Sequence, residues 1–111
     1  MKSVTKLSKF QKIILVYIGM ETKRCDRKYI KRTAVSIGLK NSLGIAGSDS
    51  FRVVLTNAIN ALYRRKLVTR MRSTIGITEL GRTVAGETIE KIKEKYGTIS
   101  WQLIEKWYNE K

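Results

Sequence analysis

Between Ser8 and Met20 the apolar residues do not settle into a single stripe. Ile13, Ile14, Tyr17 and Ile18 make a broad face, and Leu15 and Val16 carry it almost round the helix, which predicts a helix buried on two sides. Ser8 stands at its expected N-cap. One side would meet a core, and the other a further helix of this chain or of a second copy. A short second helix is predicted over Asp26–Ile37, capped by Asp26. Its inner side would be Ile30, Ala34, Val35 and Ile37, and its outer side Arg27, Lys28, Lys31 and Arg32. Gly38 falls where a left-handed C-terminal glycine is expected. Leu39 to Gly47, broken by Asn41, Ser42, Gly44 and Gly47, reads as a loop.

The third helix has the clearest period. Capped by Ser48 or Ser50 and running to Lys66, it repeats Phe51, Leu55, Ala58, Ile59 and Leu62 on one face. Arg52, Thr56, Asn57, Asn60 and Arg64 fall toward the other face, which is polar and nearly free of acid. Leu67 to Arg72, a turn at Ser73-Thr74 and a return over Ile75–Thr78 then predict a β-hairpin with Arg70 and Arg72 near its tip. Thr78 caps a helix from Glu79 to Tyr96 that Gly97 ends, and a last helix over Ser100–Glu110 carries Trp101, Leu103, Ile104, Trp107 and Tyr108.

Charge separates these elements into two groups. The chain of 111 residues carries 23 Lys+Arg against 9 Asp+Glu, a formal +14, with a pI near 10.2. Residues 1–75 hold 17 basic and 3 acidic residues, and residues 76–111 hold 6 of each. A pI this high on a small domain points to a polyanion partner, with an anionic membrane surface as the main competitor. The longest apolar run, Ile13–Ile18, is far short of the roughly 20 residues of a membrane span. The start of the chain has no signal-peptide pattern. An intracellular, soluble protein is expected.

Candidate chemistry is sparse. There is no His and one Cys, so the commonest metal ligand and general base are missing, as are a zinc finger and an intramolecular disulfide. Gly44 and Gly47 lack the Lys-Ser/Thr that a phosphate-binding loop needs after its second glycine. No enzyme activity, metal or cofactor is expected.

The order helix, helix, helix, hairpin resembles the winged helix-turn-helix family. The resemblance rests on Leu55-Thr56-Asn57-Ala58-Ile59-Asn60-Ala61-Leu62 running into Leu67-Val68, and on Ile77-Thr78-Glu79-Leu80-Gly81, which is similar to the segment that closes the wing in many such regulators. It covers residues 8–96. It departs from the family at Lys66, where Gly is frequent, and in the longer loop 39–47.

The resemblance implies a mainly α fold with a small β-hairpin, a winged helix-turn-helix over 8–78 and extra C-terminal helices over 79–111, all in one domain. It implies double-stranded DNA as partner, with the third helix in the major groove. Arg52, Thr56, Asn57 and Asn60 would then contact bases. Arg27, Lys28, Lys31, Arg32, Ser48, Ser50, Arg64, Arg70, Arg72 and Ser73 would contact the backbone. A transcription regulator or a chromatin-like, nucleoid-associated protein is expected. Size, charge and Lys/Ile content are similar in type to small basic winged-helix proteins of thermophilic archaea and their viruses.

Each assignment has a plainer competitor. A charged helix face is often only solvated, although such faces normally mix in Glu and this one has Asp49 alone. Ser48 and Ser50 suit N-capping as well as phosphate. Cys25, among Arg24, Arg27 and Lys28, is a free thiol or an intermolecular disulfide. The clustered C-terminal aromatics suit packing better than base stacking. With helix one they suggest a homodimer through Ile14, Tyr17, Trp101, Ile104, Trp107 and Tyr108. The second function class is a ribosomal protein on structured rRNA, to which the lack of a basic tail is the objection.

Overall fold

Helix α1 (Lys9–Arg24) is the axis about which the other elements gather. The computed structural model describes residues 7–43 and 49–110. After α1 come β1 (Tyr29–Lys31), α2 (Arg32–Leu43), α3 (Asp49–Arg64), β2 (Val68–Met71), β3 (Thr74–Ile77), α4 (Glu79–Tyr96) and α5 (Trp101–Asn109). The described residues thus form a mainly α fold of five helices with one antiparallel sheet of order β1–β3–β2. None of these helices is long and apolar enough to cross a membrane.

α1 starts at Ser8 through a capping box. The Ser8 hydroxyl accepts from the Gln11 N–H at 3.2 Å, and the Ser8 N–H donates to Gln11 Oε1 at 3.0 Å. Ile13, Ile14, Leu15, Val16 and Ile18 are all fully buried, so the middle of α1 is covered on every side rather than on two. It also runs past Met20 to Arg24. Its end is a Schellman motif: the Arg27 N–H donates to the Thr22 carbonyl at 2.9 Å and the Asp26 N–H to Lys23 at 3.3 Å.

Asp26, with φ +55°, is the left-handed residue of that motif. It ends α1 and does not cap a second helix. The expected helix over Asp26–Ile37 is therefore displaced. Arg27 and Lys28 lie in the connection, Lys31 in β1, and Arg32 opens α2. Among the described side chains of α2, Val35 and Leu39 are buried, whereas Ala34 and Ile37 are exposed. Gly38 is not a C-terminal glycine. It lies inside α2, where a Cβ would stand 1.8 Å from the Tyr17 hydroxyl oxygen, so its bareness lets α2 close on α1. Residues 39–43 of the expected loop are helical; Gly44 and Gly47 lie outside the described residues.

α3 buries Leu55, Ala58, Ile59 and Leu62; the side chain of Phe51 lies outside the description. A second Schellman motif ends it, with the Leu67 N–H donating to Leu62 and the Lys66 N–H to Tyr63, both at 3.0 Å. Lys66 is left-handed, φ +63°, at the position where the resembled family often has Gly. β2 and β3 pair from Val68↔Ile77 to Met71↔Thr74. The turn is therefore Arg72–Ser73, one residue earlier than the spacing predicts, because Ile75 must face inward and be buried. β1 adds the unforeseen third strand, with Ile30 opposite Ile75.

Thr78 caps α4, accepting from the Gly81 N–H at 3.0 Å, and Gly97 ends it at φ +84°. α5 is capped by Ser100 and folds back onto α1. Trp101 lies 5.6 Å from Tyr17, ring centre to ring centre, and Tyr108 lies 6.3 Å from Phe10. Lys9 Nζ donates to the carbonyls of Trp107 at 2.9 Å and Glu110 at 2.7 Å, closing the end of α5. This takes Ile14, Tyr17 and Ile104 out of the expected dimer surface. Ile14 and Ile104 are fully buried within the one chain and Tyr17 nearly so, while Trp101, Trp107 and Tyr108 are half-buried against the same core.

Two predictions follow from these joints. A left-handed non-glycine residue costs about 1–2 kcal/mol, part of which glycine returns as unfolded-chain entropy. Lys66→Gly should therefore raise stability by about 1 kcal/mol in urea unfolding, while Lys66→Ala, equally strained, should leave it unchanged. At the α5 end, the Lys95 ammonium and then the Tyr96 phenol hold the Glu110 carboxyl below its ordinary range, and the bond to Glu110 pushes Tyr96 up to about 12. A lowered carboxyl pKa stabilises above the ordinary carboxylate range, and that contribution goes as pH falls through the lowered value. A raised phenol pKa stabilises below about 10, and its contribution goes as pH rises toward about 12. Tryptophan fluorescence should change at both limits, and Glu110→Gln should remove both changes.

Candidate nucleic-acid interface

The short strand β1 positions this surface. Lys31 pairs with Thr74 across the sheet, and the next residue, Arg32, donates its N–H to the Ser73 carbonyl at 2.9 Å. The start of α2 is thereby fixed against the hairpin turn. α3 passes beside it, and Arg32 Nη2 donates to Thr56 Oγ1 at 3.2 Å. Between these three elements lies a cleft of about 800 Å3. Lys31, Arg32, Arg52 and Arg72 bring four cations to its walls, and Thr33, Ser36, Thr56 and Ser73 bring hydroxyls. Among the described residues no acidic side chain lines it. Cations and hydroxyl donors without a carboxylate suit phosphate oxygens.

Beyond the cleft, α3 turns a polar face outward. Asn57 is exposed and has no hydrogen-bond partner among the described residues, so its amide can both donate and accept. Asn60 is half-buried and engaged. Arg70, from β2, donates to Asn60 Oδ1 and lies over the Tyr63 ring, 4.2 Å from its centre. Arginine has no acceptor, so the amide oxygen must face it and the Asn60 NH2 group points away. Asn57 therefore offers an acceptor and a donor, whereas Asn60 and Arg70 together offer donors alone.

The structure brings Lys31, Arg32, Arg52, Thr56, Arg72 and Ser73 into one cleft and places Asn57, Asn60, Arg64 and Arg70 beside or beyond it, on α3 and β2. Arg27 and Lys28 are exposed on the α1–β1 connection and do not line the cleft. Ser48 and the side chain of Ser50 lie outside the described residues. Cys25 is an exposed free thiol at the end of α1.

Several residues of this surface had escaped the pattern. Thr33 and Ser36 join the cleft because α2 begins at Arg32 and not at Asp26. Val53 is 59% exposed although apolar, on the α3 side away from Leu55, Ala58 and Ile59. Its departure from the helical period of that row was the available signal. Tyr63, 45% exposed, is explained by the guanidinium it carries.

Among the described residues no group of three or more His, Cys, Asp or Glu gathers to hold a metal ion. Comparison with protein-family models, with curated proteins and with solved structures finds no match for this chain.

Proposed function

We propose that this protein binds double-stranded DNA, with α3 in the major groove and the β2–β3 turn on the backbone, in the manner of a winged helix-turn-helix. The observation that carries the reading is the cleft in which the start of α2, the middle of α3 and the hairpin turn bring four cations together with no acidic side chain among the described residues, beside an outward amide on α3. The three helices followed by a hairpin on which the resemblance rests support it. The third strand, β1, supports it further by tying the cleft's cations together.

In this reading Arg32, Arg52 and Arg72 neutralise phosphates and fix the register, since backbone contacts orient without specifying sequence. Asn57 is matched to adenine, whose N6 donates and whose N7 accepts. Asn60 and Arg70, as donors alone, are matched to guanine O6 and N7. Val53 is placed to meet a thymine methyl group. Regulation or compaction of DNA is the role such binding would serve, and structured RNA is the competing partner. A deep, narrow A-form major groove would not admit α3.

With about six phosphate contacts, affinity should fall by about three decades between roughly 50 and 200 mM salt. Measured by fluorescence anisotropy, a flat salt response would overturn the electrostatic basis. Asn57→Ala and Arg70→Ala should each cost about 1–3 kcal/mol on a preferred sequence and relax preference at different base pairs. Arg72→Ala should weaken every duplex alike. Equal loss for all three on all duplexes would reduce the activity to unspecific coating, and tighter binding to RNA hairpins than to any duplex would favour the RNA reading.

A further inference from the structure

Most interior glycines of this chain have a neighbour that explains them. A Cβ on Gly38 would strike Tyr17, one on Gly76 would strike the Lys28 carbonyl, and one on Gly81 would strike the Leu67 carbonyl. Gly86 is different. It lies in the middle of α4, and a Cβ there would meet nothing within 4 Å. A mid-helix glycine costs about 0.5–1 kcal/mol against alanine, and no close neighbour among the described residues requires this one.

Gly86 opens on a groove of about 540 Å3 between α1 and α4. The helices are antiparallel there. Arg82 Nη2 donates to Thr22 Oγ1 at 3.3 Å, and a Cβ on Gly19 would touch Ala85 at 3.9 Å. The groove therefore has two unlike ends. Val16, Met20, Ala85 and Ile89 line its length, and Lys23, Arg24 and Arg82 stand at one end. Arg24 is held by Glu21, but Lys23 is exposed and has no partner among the described residues. α4 carries Glu79, Glu87, Glu90 and Glu94, yet none of them lines the groove. The one basic residue in the first three turns of α4, Arg82, does.

From this arrangement we infer that the groove binds an amphipathic organic anion, with one carboxylate between Lys23 and Arg82 and an apolar body lying along Met20 and Ile89 over Gly86. The volume is that of small-molecule sites, which are apolar with a few fixed polar groups. Charge decides against a second copy as occupant. A two-fold pairing of this groove with itself would bring the three cations no carboxylate, because no acidic side chain lines it among the described residues. The groove shares no residue with the basic cleft, so the inference stands apart from the DNA reading.

The test is calorimetric titration of the full chain with decanoate, and with decanol as the neutral control. One decanoate should bind per chain, at least tenfold more tightly than decanol. Gly86→Leu fills the space with a better helix former and should abolish binding while circular dichroism shows an intact fold. Lys23→Gln, on an exposed side chain, should weaken decanoate severalfold and leave decanol unchanged. Arg72→Ala, in the basic cleft, should alter neither. Equal affinity for decanoate and decanol, undiminished binding to Gly86→Leu, or binding that falls with Arg72→Ala would each overturn the inference. So would a dimer in sedimentation that Gly86→Leu dissociates, because the groove would then hold a second copy.

Discussion

The Leu67 carbonyl is the joint that the arrangement depends on. It accepts the Thr78 N–H at 3.1 Å and lies 3.0 Å from the Thr78 hydroxyl, which also reaches the Lys66 carbonyl at 2.8 Å. The same hydroxyl accepts the Gly81 N–H and so starts α4. A Cβ on Gly81 would stand 2.1 Å from this carbonyl oxygen, so only glycine lets the helix start come this close. One residue before Leu67, Lys66 turns left-handed to end α3, and one residue after it β2 begins. The end of α3, the base of the hairpin and the direction of α4 are therefore settled at one point. α4 then lies antiparallel along α1, and α5 returns to close its remaining side.

What the sequence discloses follows from how local each signal is. Ser8, Thr78 and Gly97 were readable as caps because a cap needs only its own few neighbours. The period of α3 was readable because its buried row is complete from Leu55 to Leu62. Asp26 was not, because aspartate suits both an N-cap and a left-handed C-terminal position, and the choice is made by Thr22 and Lys23 behind it. β1 has three residues, too few for a period, and Ile30 joined a false helical pattern with Ala34 and Ile37. The destination of Trp101 and Ile104 was undecidable between this chain and a second copy. An apolar helix looks the same whichever surface covers it. The cleft was legible residue by residue, but its assembly depends on β1, which sets Lys31 and Arg32 against the hairpin turn.

Charge and stability are divided between different parts of the molecule. The ion pairs among the described residues are Glu21–Arg24, Glu90–Lys93 and Lys95–Glu110, and none of them touches the basic cleft. Exposed pairs of this kind contribute little. The fold is held instead by the apolar sheath around α1, from Ile13 to Ile18. A formal +14 repels itself, so cohesion cannot come from the charges. Most of the described cations of the first 75 residues face outward, and the balanced last third supplies α4 and α5 as packing.

Among the described residues three that are not glycine take left-handed backbone, and all three are charged: Asp26, Lys66 and Arg72. Each sits at a junction, two ending helices and one turning the hairpin. Asp26 needs no special account, because aspartate visits this region more readily than most residues. Arg72 does, since glycine or asparagine would turn the hairpin at lower cost. It is also the cation that the turn contributes to the cleft. The proposed DNA contact gives a physical reason for keeping it: a glycine there would relax the turn and withdraw a phosphate ligand. Local strain that persists at a binding surface is commonly sustained by the function it serves. Lys66 has no such place in the cleft, and its strain is held by the Schellman bonds behind it and the Thr78 hydroxyl on its carbonyl. The two strained cations thus differ in kind. The one at the turn is bound up with the basic cleft proposed to meet DNA, and the one at the end of α3 with the joint at Leu67.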